Sequence, residues 1–353
     1  IELMTNSINI IGLMSGTSVD GLDICYVSFD NHDPSKYEII DCETVNYDDN
    51  LKRKLKNIIK LDNNQIKQID DEFGEFIGLS VLKFIKKNTL YKADLISSHG
   101  HTVFHEPKFN KTLQIGNGEI INKVTKIKTV NNFREQDIQL GGQGAPLVPI
   151  GDKLLFDDYK YCLNLGGFTN ISVKDSRTIF AYDICPLNTV LNHYANKLGY
   201  ECDLGGKLSK KGVINIDLFN ELNDLDYYKK SYPKSLGLEF VIENIFPITE
   251  KYKIKEVDIL ATYIEHASFQ IKRNIDNGSK VLLTGGGTFN NNLIKTLNHD
   301  SKINFIVPDK TIINYKESLI FALLGYLKIN GKVNCLRSVT GASNDHSSGD
   351  IYG

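Results

Sequence analysis

The stretch Ile10-Ile-Gly-Leu-Met-Ser-Gly-Thr-Ser-Val-Asp-Gly-Leu-Asp23 runs an apolar strand into Ser15-Gly16-Thr17-Ser18 and leaves as a second strand, Leu22 to Phe29. Glycines at 12, 16 and 21 let such a hairpin turn tightly and come close to a ligand, and the hydroxyls of Ser15, Thr17 and Ser18 join exposed N–H groups as donors to an anion. Phosphate is the natural guest, although small polar residues between strands also make plain turns. A second hairpin of the same kind is expected at Gly166-Gly-Phe-Thr-Asn170, and Gly285-Gly-Gly-Thr288 follows the short apolar strand Lys280 to Thr284. Two hairpins facing across a cleft suit the β and γ phosphates of one nucleotide, and the third turn suits its base or ribose. His99 and His101 would share one face of an extended strand and offer zinc two nitrogens, but no companion ligands stand out.

These groups need a frame. After the first hairpin, Tyr37 to Tyr47 reads as a strand, and Asp49 to Leu61 and Gln65 to Lys87 read as helices, the second with Ile66, Ile69, Phe73, Ile77, Val81 and Phe84 at helical spacing. Short strands follow at Asp94 to Ser98, Thr112 to Ile115 and Lys128 to Asn131, and ligands collect at strand ends in open α/β sheets. The segment 132–149 is rich in glycine and polar groups, so it is expected to line a cleft rather than pack. In the second half, strands at Tyr161 to Leu165, Ile171 to Lys174 and Thr178 to Asp183 lead to helices from Asn188 to Leu198 and from Glu256 to Ile275. The order repeats the first half. The fold expected is α/β, two duplicated domains around a central cleft, with lobes at 4–131 plus about 326–353 and at 132–325. The last helix, Glu317 to Ile329, returns the chain to the first lobe, and the tail Ser343 to Gly353 is expected to be mobile.

Composition narrows the partners. At 353 residues the chain is long enough for two cores. A formal charge of -2, with acids and bases evenly mixed, gives no basic surface for nucleic acid, so a small ligand is expected. Cys25, Cys42, Cys162, Cys185, Cys202 and Cys335 lie far apart without a Cys-x-x-Cys pair, which reads as reduced thiols in the cytoplasm and as no zinc framework. No apolar run approaches the roughly 20 residues that cross a bilayer, and no signal peptide is visible. Ile1-Glu2-Leu3 precede the first methionine, Met4, where the expected fold begins.

Other nucleotide signatures are missing: there is no Gly-x-x-x-x-Gly-Lys-Ser/Thr, no Gly-x-Gly-x-x-Gly and no His-Arg-Asp. An actin-like (ribonuclease H-like) plan remains. Met14 to Asp23, Ser98-His-Gly-His-Thr102, Asn132-Phe-Arg134 with Gly141-Gly-Gln-Gly-Ala-Pro146, Asn164-Leu-Gly-Gly167, Pro233-Lys-Ser-Leu-Gly237 and Thr284-Gly-Gly-Gly287 together resemble the anhydro-N-acetylmuramic acid kinases, from about Ile8 to Ser343. The resemblance implies a bacterial cell-wall recycling kinase that takes 1,6-anhydro-N-acetylmuramic acid, ATP and water and yields N-acetylmuramic acid 6-phosphate.

It also implies roles. The family's base is an Asp before a Gly-Pro-Gly-Asn turn, and Asp183 stands in that place, followed by Ile184-Cys-Pro-Leu-Asn188. A carboxylate at a strand's end beside a helix start suits the task, though it would also suit a helix cap. Glu317 is carried over beside it, its rival role being a first-turn acid on the helix dipole. Arg134 is carried over for the lactyl carboxylate, with a structural ion pair as rival. The sugar set is completed by Ser15, His99, Gly100, His101, Thr102 and Asn188. The nucleotide set is Gly16, Thr17, Ser18, Val19, Asp20, Gly21, Leu22, Asp23, Gly166, Gly167, Thr169, Asn170, Gly285, Gly286, Gly287 and Thr288; the chemistry of Asp20 and Asp23 suits holding Mg2+ through water, and the equal rival role of Asp20 is to fix the turn. The family also suggests a homodimer. Cys185 and Leu187 replace usual glycines, and His101 stands where many members carry Gln, which puts the range of accepted sugars in doubt. A nucleotide-bound chaperone-like protein on the same frame is a competing reading, and it would need neither Arg134 nor the loop at 141–146; a sugar sensor that has lost catalysis is another, and the retention of Asp183 argues against it.

Overall fold

The computed structural model describes residues 6–87, 91–175 and 178–353, so the residues before Met4 lie outside it. Twelve strands are used below: β1 (Ser7–Ser15), β2 (Gly21–Asp30), β3 (Tyr37–Asn46), β4 (Leu95–Glu106), β5 (Lys111–Ile115), β6 (Thr129–Asn131), β7 (Tyr161–Leu165), β8 (Phe168–Lys174), β9 (Ile179–Pro186), β10 (Lys280–Thr284), β11 (Asn304–Ile306) and β12 (Asp350–Tyr352). They form two compact units, Ile1–Phe156 with Tyr315–Gly353, and Asp157–Asn314.

In the first unit the sheet order is β12-β6-β4-β1-β2-β3, with β5 paired to β4. β1 is antiparallel to β2 and parallel to β4, and β4 is parallel to β6. The second unit repeats this pattern in the order β11-β10-β7-β8-β9, with β7 antiparallel to β8 and parallel to β10. The chain is therefore an α/β protein with the actin-like plan built twice. Ile10, Ile11 and Leu13 of β1 are all fully buried, as a strand covered on both sheet faces requires. Helix Asn63–Lys86 supplies Phe73, Ile77 and Val81 to the first core, and it is capped by Asp62, whose carboxylate accepts from the backbone N–H groups of Asn64 and Gln65. Helix Glu256–Lys272 supplies Leu260, Tyr263, Ile264 and Ala267 to the second.

Several expectations are corrected. The compact units divide at 156/157 and 314/315, where the sequence pattern places the lobe boundaries at 131/132 and 325/326; within 132–156, Arg134 bonds His99, Gln143 bonds Thr340 and Asp152 pairs with Lys316, all partners in the first unit. Segment 132–149 is also less open than its composition suggests: it contains helix Glu135–Gln139 and buries Phe133, Asp137, Ile138 and Leu147. The tail is ordered. β12 pairs antiparallel with β6, and Asn334 binds the Ser348 backbone through both its donor and its acceptor. β4 does not end at Ser98 but continues through His99-Gly-His-Thr102, kinked at Gly100, where φ is +73° and a Cβ would lie 2.2 Å from the Ile115 carbonyl oxygen. The helix expected to begin at Glu317 starts at Lys310, so Glu317 is two turns in and is not a first-turn acid, and a short helix, Arg337–Thr340, follows it.

Candidate active site

Each unit carries its own set of groups. In the first, the β1–β2 tip is Gly16 to Asp20, closed by the Val19 N–H donating to the Gly16 carbonyl at 3.1 Å. Thr17, Ser18 and Asp20 are exposed there, whereas Val19 and Leu22 are buried and face the core. Val19 has a φ of +58°, a left-handed backbone that a β-branched residue adopts only under strain, and such strain gathers where a loop is held for a ligand. The three glycines divide in role. A Cβ on Gly12 would lie 1.9 Å from the Ser318 carbonyl oxygen, so Gly12 lets helix Lys310–Ile329 sit against β1, and Gly21 is pressed against Val45 of β3. Only Gly16 stands in the open.

The base of this hairpin is pinned by a buried relay. The Tyr47 hydroxyl donates to Ser15 Oγ at 2.7 Å, and Ser15 Oγ lies 3.0 Å from Nδ1 of His101, its partner in the β1–β4 register. The kink at Gly100 parts the two imidazoles: His101 packs by Phe73, His99 by Phe321. His99 Nδ1 bonds the Gly100 carbonyl at 3.0 Å, which leaves Nε2 to accept from Arg134 Nε at 3.0 Å. Burial, reinforced by the Arg134 charge, holds His99 well below the usual histidine range, so it stays a neutral acceptor.

Arg134 also donates from Nη1 to the Gly144 carbonyl at 3.0 Å. Its pKa is lowered to about 10 by burial, against the opposing pull of Glu317 and Cys335. The guanidinium remains charged at neutral pH. Glu317 reaches solvent, yet the protein crowding it holds its carboxyl above the usual range, in spite of Arg134 and Lys316. Asp23 is likewise raised by burial, opposed by the Thr44 hydroxyl at 2.6 Å and reinforced by Asp20. Thr102 stays in the β4–β5 ladder opposite Gln114.

In the second unit, Gly166 and Gly167 form the β7–β8 tip. Their carbonyls accept from the start of helix Asn188–Lys197: Leu187 N at 2.8 Å and Thr189 N at 3.2 Å on Gly167, and Asn188 N at 3.2 Å on Gly166. The Asn188 amide also donates to the Leu165 carbonyl at 3.0 Å. Thr169 is fully buried opposite Cys185, and half-buried Asn170 lies opposite Asp183. Ile184 is the extra residue of a bulge between those pairs, and the bulge re-aims Asp183.

Asp183 does not cap the helix. Its Oδ2 accepts from the Leu236 N–H at 2.8 Å, and its carbonyl accepts from the Tyr227 hydroxyl at 2.6 Å. Burial raises its pKa, opposed by the Leu236 N–H, and Oδ1 has no partner among the described residues. At Leu187 φ is −135°, so this departure from glycine needs no left-handed backbone. At the third turn Gly285 has a φ of +82°, and a Cβ there would lie 2.2 Å from Asn164 Oδ1. The Thr288 hydroxyl donates to the Gly285 carbonyl at 2.6 Å; Gly287 and Thr288 are buried, and Gly286 is exposed.

The family model described as anhydro-N-acetylmuramic acid kinase matches residues 8–353. The chain belongs to that family. Among curated anhydro-N-acetylmuramic acid kinases, that of Aliivibrio fischeri is 33% identical over 365 residues, covering 97% of this chain and 98% of its own length. That of Haemophilus influenzae is 30% identical over 375 residues, with 97% of each chain covered. As a member of the anhydro-N-acetylmuramic acid kinase family the protein is an enzyme, a phosphotransferase.

In this kinase the structure brings Ser15 to His101, His99 to Arg134, and Asn170 opposite Asp183. Tyr47, Asp137, Gly144, Tyr227 and Leu236 were not picked out from the sequence as site residues. Tyr47 bonds Ser15 and Tyr227 bonds Asp183 through a hydroxyl, Asp137 bonds Gly144 through its carboxylate, and Gly144 and Leu236 bond Arg134 and Asp183 through the backbone, and no periodicity or spacing announces such contacts. Among the described residues no helix is long and apolar enough to cross a membrane.

Proposed function

We propose that the protein is an ATP-dependent kinase of 1,6-anhydro-N-acetylmuramic acid that opens the anhydro ring with water as it phosphorylates O6. The observation that carries this reading is Asp183: a carboxylate with one oxygen held by the Leu236 N–H, the other without a partner among the described residues, and a proton affinity raised by burial. Such a group suits a general base for water. Water adds through oxygen to C1 and gives its proton to Asp183; the C1–O6 bond breaks; O6 takes the γ-phosphoryl group as its bond to the β-phosphate oxygen breaks. The products are N-acetylmuramic acid 6-phosphate, ADP and a proton released from Asp183.

Arg134, held at Nε and Nη1, offers its outer nitrogen Nη2 to the lactyl carboxylate. The open tips at Gly16 to Asp20 and Gly166-Gly167 donate to phosphate oxygens. Exposed Asp20 and half-buried Asp23 repel one another, a donor set that fits a hydrated Mg2+ on ATP, where the ion would neutralise phosphate charge. A cytoplasmic place in peptidoglycan recycling and a homodimer belong to the same proposal.

The test is turnover in 18O-labelled water with mass analysis of the product. One labelled oxygen in the sugar phosphate is expected, and an unlabelled product would rule out ring opening by water.

A further inference from the structure

Asp137 lies at the centre of helix Glu135–Gln139, three residues after Arg134, and is fully buried. Its oxygens have separate duties. Oδ2 accepts from the Gly144 N–H at 2.7 Å, while Oδ1 accepts from the Thr340 hydroxyl at 2.6 Å and the Cys335 thiol at 3.0 Å. Buried His346 places Nε2 3.6 Å from the same Oδ1. The loop is wrapped onto this carboxylate so closely that a Cβ on Gly142 would lie 2.2 Å from Oδ2. The chain's last segment holds the loop from outside as well, since Gln143 N donates to the Thr340 carbonyl at 2.8 Å and Ser343 N to the Leu140 carbonyl at 3.0 Å. Gly144 is therefore gripped at its N–H by Asp137 while its C=O receives Arg134 Nη1.

We infer that Asp137 is a positioning residue for the sugar carboxylate: through Gly144 it sets the carbonyl that fixes the Arg134 fork, and the segment Cys335–His346 is its support. This rests on the sugar-binding role proposed above for Arg134. A buried group that must accept N–H, O–H and S–H donors on two oxygens has to be a carboxylate, because asparagine of the same shape turns an N–H toward one of those donors and leaves it unpaired.

The experiment is steady-state kinetics of the full chain on 1,6-anhydro-N-acetylmuramic acid and on the corresponding anhydro-N-acetylglucosamine, which lacks the lactyl carboxylate. Asp137→Asn is expected to raise KM for the acidic sugar about tenfold or more, with kcat and the KM for ATP within about threefold of wild type and the neutral sugar little affected. Thr340→Val should act in the same direction more weakly, and Thr340→Ser, which keeps the donor, should restore it. The Thr340 pair carries the test if Asp137→Asn does not fold. Parallel losses for ATP and both sugars would mean a merely structural role and overturn the inference. Arg134→Ala separates the two claims: if it leaves the preference for the acidic sugar intact, the Arg134 reading fails and takes the inference with it. If it removes that preference while Asp137→Asn and Thr340→Val behave as wild type, only the inference falls. One tightly held zinc per purified chain would also overturn it, because Asp137, Cys335 and His346 would then be ligands rather than a hydrogen-bonded support.

Discussion

Arg134 donates from Nε to Nε2 of His99 across 3.0 Å, a bond between a cation and a neutral imidazole whose other nitrogen is committed to the Gly100 carbonyl. The pairing needs His99 unprotonated. Burial first, and Arg134 second, depress its pKa well below the usual histidine range, so the acceptor persists at pH values where a free imidazole would be charged. KM for the anhydro sugar should therefore stay flat from about pH 8 to pH 6, with no step near the free-histidine value of about 6.5. His99→Ala removes the acceptor and leaves the Arg134 Nε–H without its partner, a loss of about 1–3 kcal/mol. The sugar KM should rise roughly tenfold or more with the KM for ATP unchanged. A variant with wild-type sugar affinity would show that this bond does not hold the fork.

Asp183 gives a second prediction. With Asp183 as the base proposed above, its raised pKa should place the acid limb of kcat/KM above the free-aspartate value of about 3.9, and activity should fall as pH drops through that limb because the base becomes protonated. Asp183→Asn should lower kcat by about 100-fold to 10,000-fold while ATP binding, followed by calorimetry, changes little. Near-normal turnover by the asparagine variant would remove Asp183 from the chemistry.

The duplicated strand order could be read from the sequence because each half spells out strand, small polar turn, strand, and both halves keep apolar runs such as Ile10-Ile11 and Leu163-Asn-Leu165 where the sheet is covered. The two hairpin tips were legible for the same reason. The division of labour among glycines was not: Gly12 and Gly16 look alike in the sequence, and only the approach of Ser318 on a helix some 300 residues further along the chain separates them. The burial inside segment 132–149 was not legible from composition, since Asp137 is fully enclosed there and satisfied by Thr340 and Cys335, partners far away in sequence, while Glu135, Gln139 and Gln143 stay exposed. The tail was misjudged likewise, because three residues pairing with β6 and one buried histidine leave little trace in hydrophobic periodicity.

The glycine roles can be separated experimentally. Gly12→Ala would put a methyl group 1.9 Å from a backbone oxygen and 2.8 Å from the Ala322 Cβ, with no flexible side chain to yield. Overpacking of this kind costs about 3 kcal/mol or more, so a clear fall in Tm is expected, with KM for ATP nearly unchanged in the fraction that folds. Gly16→Ala meets nothing closer than Ser18 Oγ at 3.5 Å. It should leave Tm within experimental scatter and raise KM for ATP. The opposite pattern, a stable Gly12 variant and an unstable Gly16 variant, would contradict the assignment of the open tip to the nucleotide.

In the second unit His266 is fully buried, with Nδ1 2.8 Å from Asn223 Oδ1 and Nε2 3.1 Å from the Tyr228 hydroxyl. Asn223 Oδ1 can only accept, so Nδ1 carries the proton and Nε2 accepts from Tyr228. Burial lowers the pKa to about 3. The native state thus binds fewer protons than the unfolded chain below about pH 6.5, so stability falls as pH drops from there toward 3 and is fully present above it. For this group alone the loss by pH 5 is about 2 kcal/mol. His99, His101 and His105 are depressed too and steepen the wild-type curve, so the contribution of His266 is read as a difference. His266→Gln should be less stable than wild type at pH 8 but lose less on acidification, and urea midpoints for the two proteins should converge between pH 8 and pH 5. Parallel curves over that range would mean that His266 does not hold its neutral form in the folded protein.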